Sequence, residues 1–304
     1  MVVGKDPSLA GFAGNLSSKS EIGPLISRDR ERVRDLSERK APRSVIISGS
    51  TGVLGSRVAK LLVGSGSEVH RFRGDISCVR EVRDFVSGIV RVTHVLNCAA
   101  IVPLAAATKD PIRAFQVNAI GAGIFSQVIA RKFPDSYFLQ ISSSHVYAPQ
   151  VTSITEDSIT LPLGTYGSSK LAGEMLVTAV AEETELRLGV ARVFSMYSED
   201  QDNTFLYPSL RRRLESHDPK KVFRLKGWNN VRDFCTADQI SLNVHSLLNL
   251  EATGVINVAS GKPLQVGEFA ELVAGESLLF DEDDRDPDGS RLVANIDKLS
   301  ALIM

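Results

Sequence analysis

The sequence predicts an α/β protein: a doubly wound parallel sheet, with a smaller C-terminal lobe that covers the substrate. Three observations predict it. Short apolar strands alternate with helical segments from Ser44 onward, a glycine-rich turn follows the first strand, and the regular alternation loosens after Arg192.

The first strand is the β-branched run Val45–Ile47, which leads straight into Gly49, Gly52 and Gly55 and then into the helical periodicity of Val58, Leu61 and Leu62. Strand, tight turn and helix in that order form a dinucleotide cradle. Gly49 and Gly52 let the backbone turn and approach a phosphate, Gly55 lets helix and sheet pack, and the helix N-terminus offers free amides. The cofactor contacts expected here are Gly49, Ser50, Thr51, Gly52, Val53, Leu54 and Gly55.

Further strands read as Glu68–Phe72, His94–Asn97, Tyr137–Ser142 and Leu188–Val193. The helices between them begin near Gly55, Ser77, Ala114 and Ser169 or slightly before. Such alternation buries the sheet on both faces and places a ligand beyond the carboxyl ends of the strands. The expected boundaries are 44–193 for the dinucleotide-binding domain, with 233–258 returning to it, and 194–232 with 259–304 for the smaller lobe. Residues 1–43 read as a mobile N-terminal extension, with a charged helix over Ser27–Lys40 ended before Pro42.

Chemistry enters at Thr165-Tyr-Gly-Ser-Ser-Lys170. On a helix, Tyr166 and Lys170 share one face. A neighbouring ammonium stabilises tyrosinate, so Lys170 is expected to lower the Tyr166 pKa from about 10 toward working pH. Such a phenol takes a proton from an alcohol or returns one to a ketone.

Bulk properties set limits. The 304 residues carry 35 basic and 36 acidic side chains, a formal net charge of −1, which points away from nucleic acid and membrane surfaces. No apolar run approaches the ~18 residues of a membrane helix. Cys78, Cys98 and Cys235 lack metal-ligand spacing and suit reduced thiols in a cytoplasmic setting; no metal site is expected.

Several separated motifs together resemble the extended short-chain dehydrogenase/reductases, the NAD-dependent epimerase/dehydratase group acting on nucleotide-activated sugars. They are Gly49-Ser-Thr-Gly-Val-Leu-Gly55, Gly74-Asp-Ile76, Leu96-Asn-Cys-Ala-Ala100, Val117-Asn118, Ile141-Ser-Ser-Ser-His-Val-Tyr147, Tyr166-x-x-x-Lys170, Val231-Arg-Asp-Phe234, Ile256-Asn-Val-Ala-Ser-Gly261 and Asn295-Ile-Asp-Lys-Leu299. The resemblance covers Ser44 to Leu302 and implies a Rossmann-like fold. It also implies catalysis by Ser143, Tyr166 and Lys170, with Lys170 also reaching the nicotinamide ribose. Register with the family selects Ser143 over Ser142 and Ser144. Ala99, Ala100 and Asn118 join the cofactor set, and Ser144, His145, Tyr147 and Arg232 the substrate set. Arg232 matches the family's diphosphate arginine, a fork suited to phosphate oxygens, with Asp233 able to hold it. A packed aromatic is an equal reading for Tyr147.

The cofactor is NAD(P), leaning to NADP(H). An acidic residue about 20 residues past the turn holds a ribose hydroxyl, whereas arginine accommodates the extra phosphate. Here the segment is His70-Arg-Phe-Arg-Gly-Asp75, and Asp75 is either an adenine contact or a ribose ligand. The helical stretch Ser77–Val86 favours the adenine, Arg71 and Arg73 then favour NADP, and Ile76 joins the cofactor set. Two departures stand out: Ser195 replaces a substrate-binding asparagine, and Thr236 a histidine. The implied activity is hydride transfer at a keto or hydroxyl carbon of a nucleotide sugar, foremost a 4-keto sugar reductase. The alternatives are a 4-epimerase retaining NAD and a non-catalytic cofactor-binding protein. A homodimer follows from the family resemblance.

Overall fold

The computed structural model describes residues 43–102 and 104–303. The extension read over 1–43, including the Ser27–Lys40 helix, lies outside the described residues except for Arg43. In chain order the strands are β1 Ser44–Ser48, β2 Glu68–Phe72, β3 His94–Asn97, β4 Tyr137–Ser143, β5 Arg187–Val193 and β6 Ser195–Tyr197. They continue as β7 Val222–Phe223, β8 Val231–Thr236, β9 Gly254–Val258, β10 Pro263–Gln265, β11 Leu279–Phe280 and β12 Arg291–Leu292.

Six parallel strands form the main sheet in the order β2-β1-β3-β4-β5-β9. The chain runs from β1 outward to β2, then crosses back to β3, so the strand order reverses between β1 and β3. A crevice opens at such a reversal, beyond the carboxyl ends.

Alternate residues feed two cores. Val45, Ile47, Leu96, Leu139 and Ile256 pack on one side with Val58 and Leu62 of the Val53–Gly64 helix and Val244 and Leu247 of the Ala237–Leu250 helix. Ile46, Val95 and Phe138 pack on the other with Phe125, Ile129 and Val177, from the Ala122–Lys132 and Thr165–Thr184 helices. Burial on both faces is why these strands read as unbroken apolar runs.

The helix expected near Ala114 is three consecutive pieces. Pro111–Phe115 is α-helical, started by Asp110 accepting from the Arg113 amide; Gln116–Gly121 is π-helical; Ala122–Lys132 is α-helical again. The wide π turn carries Asn118.

A second, four-stranded sheet orders β10-β8-β12, with β6 also paired to β8. Asp233 to Thr236 belong to β8, with Cys235 packed in the main core, and the Ala237–Leu250 helix follows. At the C-terminal end, Leu299 of the Asp297–Ile303 helix packs into the main core rather than the lobe. The lobe has its own core of Leu210, Phe223, Leu225 and Phe269, where Phe234 stacks on Phe269 at 3.9 Å between ring centroids.

Candidate active site

The glycine turn is built for a close approach. Gly49 has φ +62°, and a Cβ there would lie 2.6 Å from the Cys98 carbonyl carbon. A Cβ on Gly55 would lie 2.4 Å from the Gly49 oxygen. Within the turn the Gly52 amide donates to Gly49 O at 3.1 Å, and the Ser56 amide to Gly52 O at 2.9 Å. Ser50 is buried, with a hydroxyl that finds no partner in the protein, while Thr51 and Gly52 are exposed. A tight glycine cradle with an unsatisfied buried hydroxyl fits a dinucleotide phosphate. Val53 is half-buried at the first helical turn, and Leu54 turns into the main core.

A row of polar side chains crosses the sheet beneath this turn. Ser48 Oγ donates to Asn97 Oδ1, Asn97 Nδ2 to Gln140 Oε1 at 2.7 Å, and Gln140 Nε2 to the Ile141 carbonyl at 2.9 Å. The three residues sit opposite one another in register. The Ala99 amide donates to both Ser48 Oγ and Asn97 Oδ1 at 3.3 Å. This fixes the loop of half-buried Cys98, Ala99 and Ala100 against the glycine turn.

The Tyr-Lys helix lies tight against the same strand ends. A Cβ on Gly167 would lie 2.2 Å from the His145 carbonyl, and one on Gly173 2.3 Å from that of Asn118. Asn118 is 1% exposed, and its amide is spent inside the protein: Oδ1 accepts from the Ile101 amide at 2.7 Å, and Nδ2 donates to Ser169 Oγ at 2.9 Å. It braces the loop after β3 against the helix and presents no free amide to a cofactor.

Ser143 ends β4. Its hydroxyl lies 3.1 Å from His145 Nδ1 and near enough to the Tyr166 phenol to act on its pKa. The imidazole meets the Tyr166 ring edge-on, with centroids 5.6 Å apart. Of the three consecutive serines, Ser142 is bound to Glu174 instead, and Ser144 is buried. Burial, with help from the positive charge of Arg232, pushes the His145 pKa down to about 4. At neutral pH it is therefore an uncharged imidazole.

One electrostatic expectation is overturned. Burial raises the Tyr166 pKa, and the opposing influence is the Ser143 hydroxyl, not Lys170. Lys170 directs its ammonium to the Ile141 carbonyl, at 2.6 Å. Burial brings the lysine itself down to about 8, against the favourable charge of Glu174. Cys98 faces the same ammonium, and burial carries its thiol up to about 12, so it stays protonated.

Arg232 is half-buried on β8, close enough to His145 for its charge to be felt. Its guanidinium donates to the Ser290 carbonyl at 2.8 Å and to Ser290 Oγ at 2.7 Å. Asp233 does not hold it, which corrects the expectation. Adjacent strand residues point to opposite faces, and the fully buried Asp233 accepts from the amides of Ser260 at 2.8 Å and Gly261 at 2.9 Å.

Tyr147 is corrected likewise. Tyr147 is 1% exposed, donates to Asn257 Oδ1 at 2.7 Å and lies under Arg192, so it is a packed aromatic rather than a lining of a sugar site. Ser144 is 2% exposed and opens the single turn that leads to Tyr147. Asp75 accepts from Arg113 at 2.7 Å and from Ser77, while Ile76 is buried against Gly121. Arg71, on β2, is half-buried, and Arg73, just past the strand, is exposed. Thr236 caps the next helix by accepting from the Gln239 amide at 3.2 Å. Among the described residues no group of three or more His, Cys, Asp or Glu side chains could hold a metal ion. None of their helices is long and apolar enough to cross a membrane.

Sequence reasoning missed Glu174, Arg192, Gln140 and Arg113. Glu174 could have been found, being one further helical turn along the face of Tyr166 and Lys170.

The model of the NAD dependent epimerase/dehydratase family matches residues 45–259. The chain belongs to that family. It is 31% identical over 175 residues to GDP-6-deoxy-D-mannose reductase of Pseudomonas aeruginosa, covering 55% of this chain and 58% of that relative. The match thus spans little more than half of the relative's length. UDP-glucose 4-epimerase of Lactobacillus helveticus is 24% identical, over 85% of this chain and 90% of its own. Among solved structures, RMD from Pseudomonas aeruginosa complexed with NADPH superposes with a TM-score of 0.75 at 24% identity, covering 86% of this chain and 92% of that one. The central sheet is thus that of the Rossmann-fold epimerases and reductases.

Proposed function

We propose that this protein is an NAD(P)-dependent oxidoreductase that reduces a keto carbon of a nucleotide-activated sugar, foremost a 4-keto sugar. The observation that carries it is one cluster beside the glycine cradle at the sheet's reversal point: Ser143 and Tyr166 flank the His145 ring, at 3.1 Å and 5.6 Å, and Lys170 follows one turn further along the helix. When bound, the nicotinamide supplies the hydride. Gly49, Ser50, Thr51, Gly52 and Gly55 would hold its phosphates, and the 98–101 loop would flank it. Tyr166 gives the proton to the substrate oxygen while Ser143 orients that oxygen. Uncharged His145 contacts the sugar, and the Arg232 fork takes the diphosphate. Arg71, near the end of β2, and Arg73, just past it, favour NADP(H).

A 4-epimerase is the second reading, favoured by the relative of that name that aligns along most of the chain. The two separate by mass balance. A reductase consumes NADPH stoichiometrically, whereas an epimerase leaves nicotinamide absorbance unchanged. Incubating the protein with NADPH and a panel of 4-keto and 4-hydroxy nucleotide sugars, while following that absorbance, tests both. Absence of reduced and epimerised product alike across the panel refutes the proposal.

A homodimer is part of the same reading. Ile112, Ile120, Met175 and Leu176 are exposed apolar side chains on the 111–121 segment and the Tyr-Lys helix, surfaces suited to pairing with a second copy. Sedimentation as a monomer refutes it. Free Cys78, Cys98 and Cys235 suit a reducing cytoplasm.

A further inference from the structure

Tyr166, Lys170 and Glu174 follow one another at four-residue intervals on a single helix. Positions so spaced share a face. Glu174 is 6% exposed and tied to two strands of the main sheet. Its Oε1 accepts from Ser142 Oγ on β4, and both oxygens accept from Arg192 on β5, with Nε at 3.1 and 3.2 Å and a terminal nitrogen at 2.6 Å. Arg192 in turn lies 4.6 Å from the centre of the Tyr147 ring. The carboxylate is therefore held by two partners, Ser142 on one strand and Arg192 on the next.

We propose that Glu174 is a positioning residue of the proton device: a fixed buried counter-charge, anchored by Ser142 and Arg192, that keeps Lys170 protonated where burial alone would neutralise it. The inference rests on reading Lys170 as the partner of Tyr166. It adds a third member to that pair and gives the buried Arg192 a task, which is to clamp the carboxylate rather than touch substrate.

The groups facing Lys170 are few. Tyr166 and Glu174 lie on its own helix, the Cys98 thiol comes from the loop after β3, and the Ile141 carbonyl from β4 accepts its hydrogen bond. Arg192 stands behind Glu174. Tyr166 and Cys98 are both neutral near pH 7, since burial raises both. Glu174 is then the one nearby anion among the described residues, and the Coulomb attraction of a lysine and a carboxylate is strong where water is excluded. It opposes the desolvation that brings Lys170 down to about 8.

The test titrates the Lys170 side-chain nitrogen by NMR, in the full chain carrying isotope-labelled lysine, the signal being assigned by its loss in Lys170→Met. Glu174→Gln keeps the shape and removes the charge; it should lower the Lys170 midpoint by about one pH unit, a tenfold change in its dissociation constant. The same substitution strands the Arg192 charge, so it also lowers the melting temperature. The double variant Glu174→Gln, Arg192→Met removes the stranded charge and should recover the melting temperature while leaving the midpoint low. An unchanged midpoint in Glu174→Gln, or one restored in the double variant, overturns the proposal. If these variants do not fold, Glu174→Asp, which withdraws the charge by one methylene, must lower the midpoint by a smaller amount; no movement there overturns it equally. Because turnover is not measured, this result stands apart from whether Tyr166 carries the proton, which Tyr166→Phe decides.

Discussion

The Lys170 ammonium donates to the Ile141 carbonyl at 2.6 Å, on the strand that ends two residues later at Ser143. The ammonium is thus anchored to β4, and the hydroxyl that acts on the Tyr166 phenol stands at the end of the same strand. The strand sets the geometry of the proton device as much as the helix does.

The first prediction follows from that arrangement. Tyr166→Phe removes the proton donor but keeps the ring against His145, so turnover should fall by at least about 10²-fold while NADPH affinity stays nearly constant. Steady-state kinetics and a fluorescence titration check this. Retained turnover contradicts the role.

Arg232→Ala should weaken nucleotide-sugar binding far more than NADPH binding, because the fork lies beside His145 on β8 and away from the glycine turn. Calorimetry with each ligand decides, and equal losses rule out a diphosphate contact. Replacing Arg71 and Arg73 together with alanine should reduce any preference for NADPH over NADH, measured by the ratio of the two dissociation constants.

Acid should destabilise the fold through two histidines. His145 and His245 are each brought down to about 4, chiefly by burial and then by Arg232 and Arg43 respectively. In the unfolded chain they titrate near the usual value of about 6.5. The folded state therefore binds fewer protons, and their contribution is intact above about 6.5, then lost progressively as pH falls toward 4. Thermal melting between pH 7 and 4.5 should show a falling midpoint. His245→Asn should flatten part of that slope, and an unaltered slope contradicts the assignment.

Gly49→Ala should cost about 1–3 kcal/mol of stability and abolish cofactor binding, because the left-handed backbone and the 2.6 Å approach to Cys98 both penalise a side chain. Urea unfolding and NADPH titration measure the two effects.

Much of the main sheet was legible because its strands are buried on both faces, which leaves unbroken apolar runs. β2 and β3 fall on the residues read for them, and β1, β4 and β5 extend the expected runs by one residue at one or both ends. The helix start at Pro111 is also legible in Asp110-Pro111, a capping residue followed by a proline suited to the first turn. The destination of the Lys170 ammonium was not legible. Four-residue spacing places two side chains on one face, yet a long flexible lysine goes to whichever partner the tertiary fold supplies, here a carbonyl on β4. Asp233 misled for a related reason: neighbours in sequence on a strand point apart. Likewise the pairing of Asp75 with Arg113 bridges 38 positions that no local pattern connects.

The most direct measurement of the central claim is deuterium transfer from NADPH labelled at its nicotinamide reacting carbon, read by mass spectrometry of the nucleotide-sugar product. The wild-type protein should yield a 4-hydroxy sugar carrying the label at that carbon, and Tyr166→Phe should yield none. A labelled product formed equally by Tyr166→Phe, or no labelled product from any 4-keto sugar offered, would contradict the account.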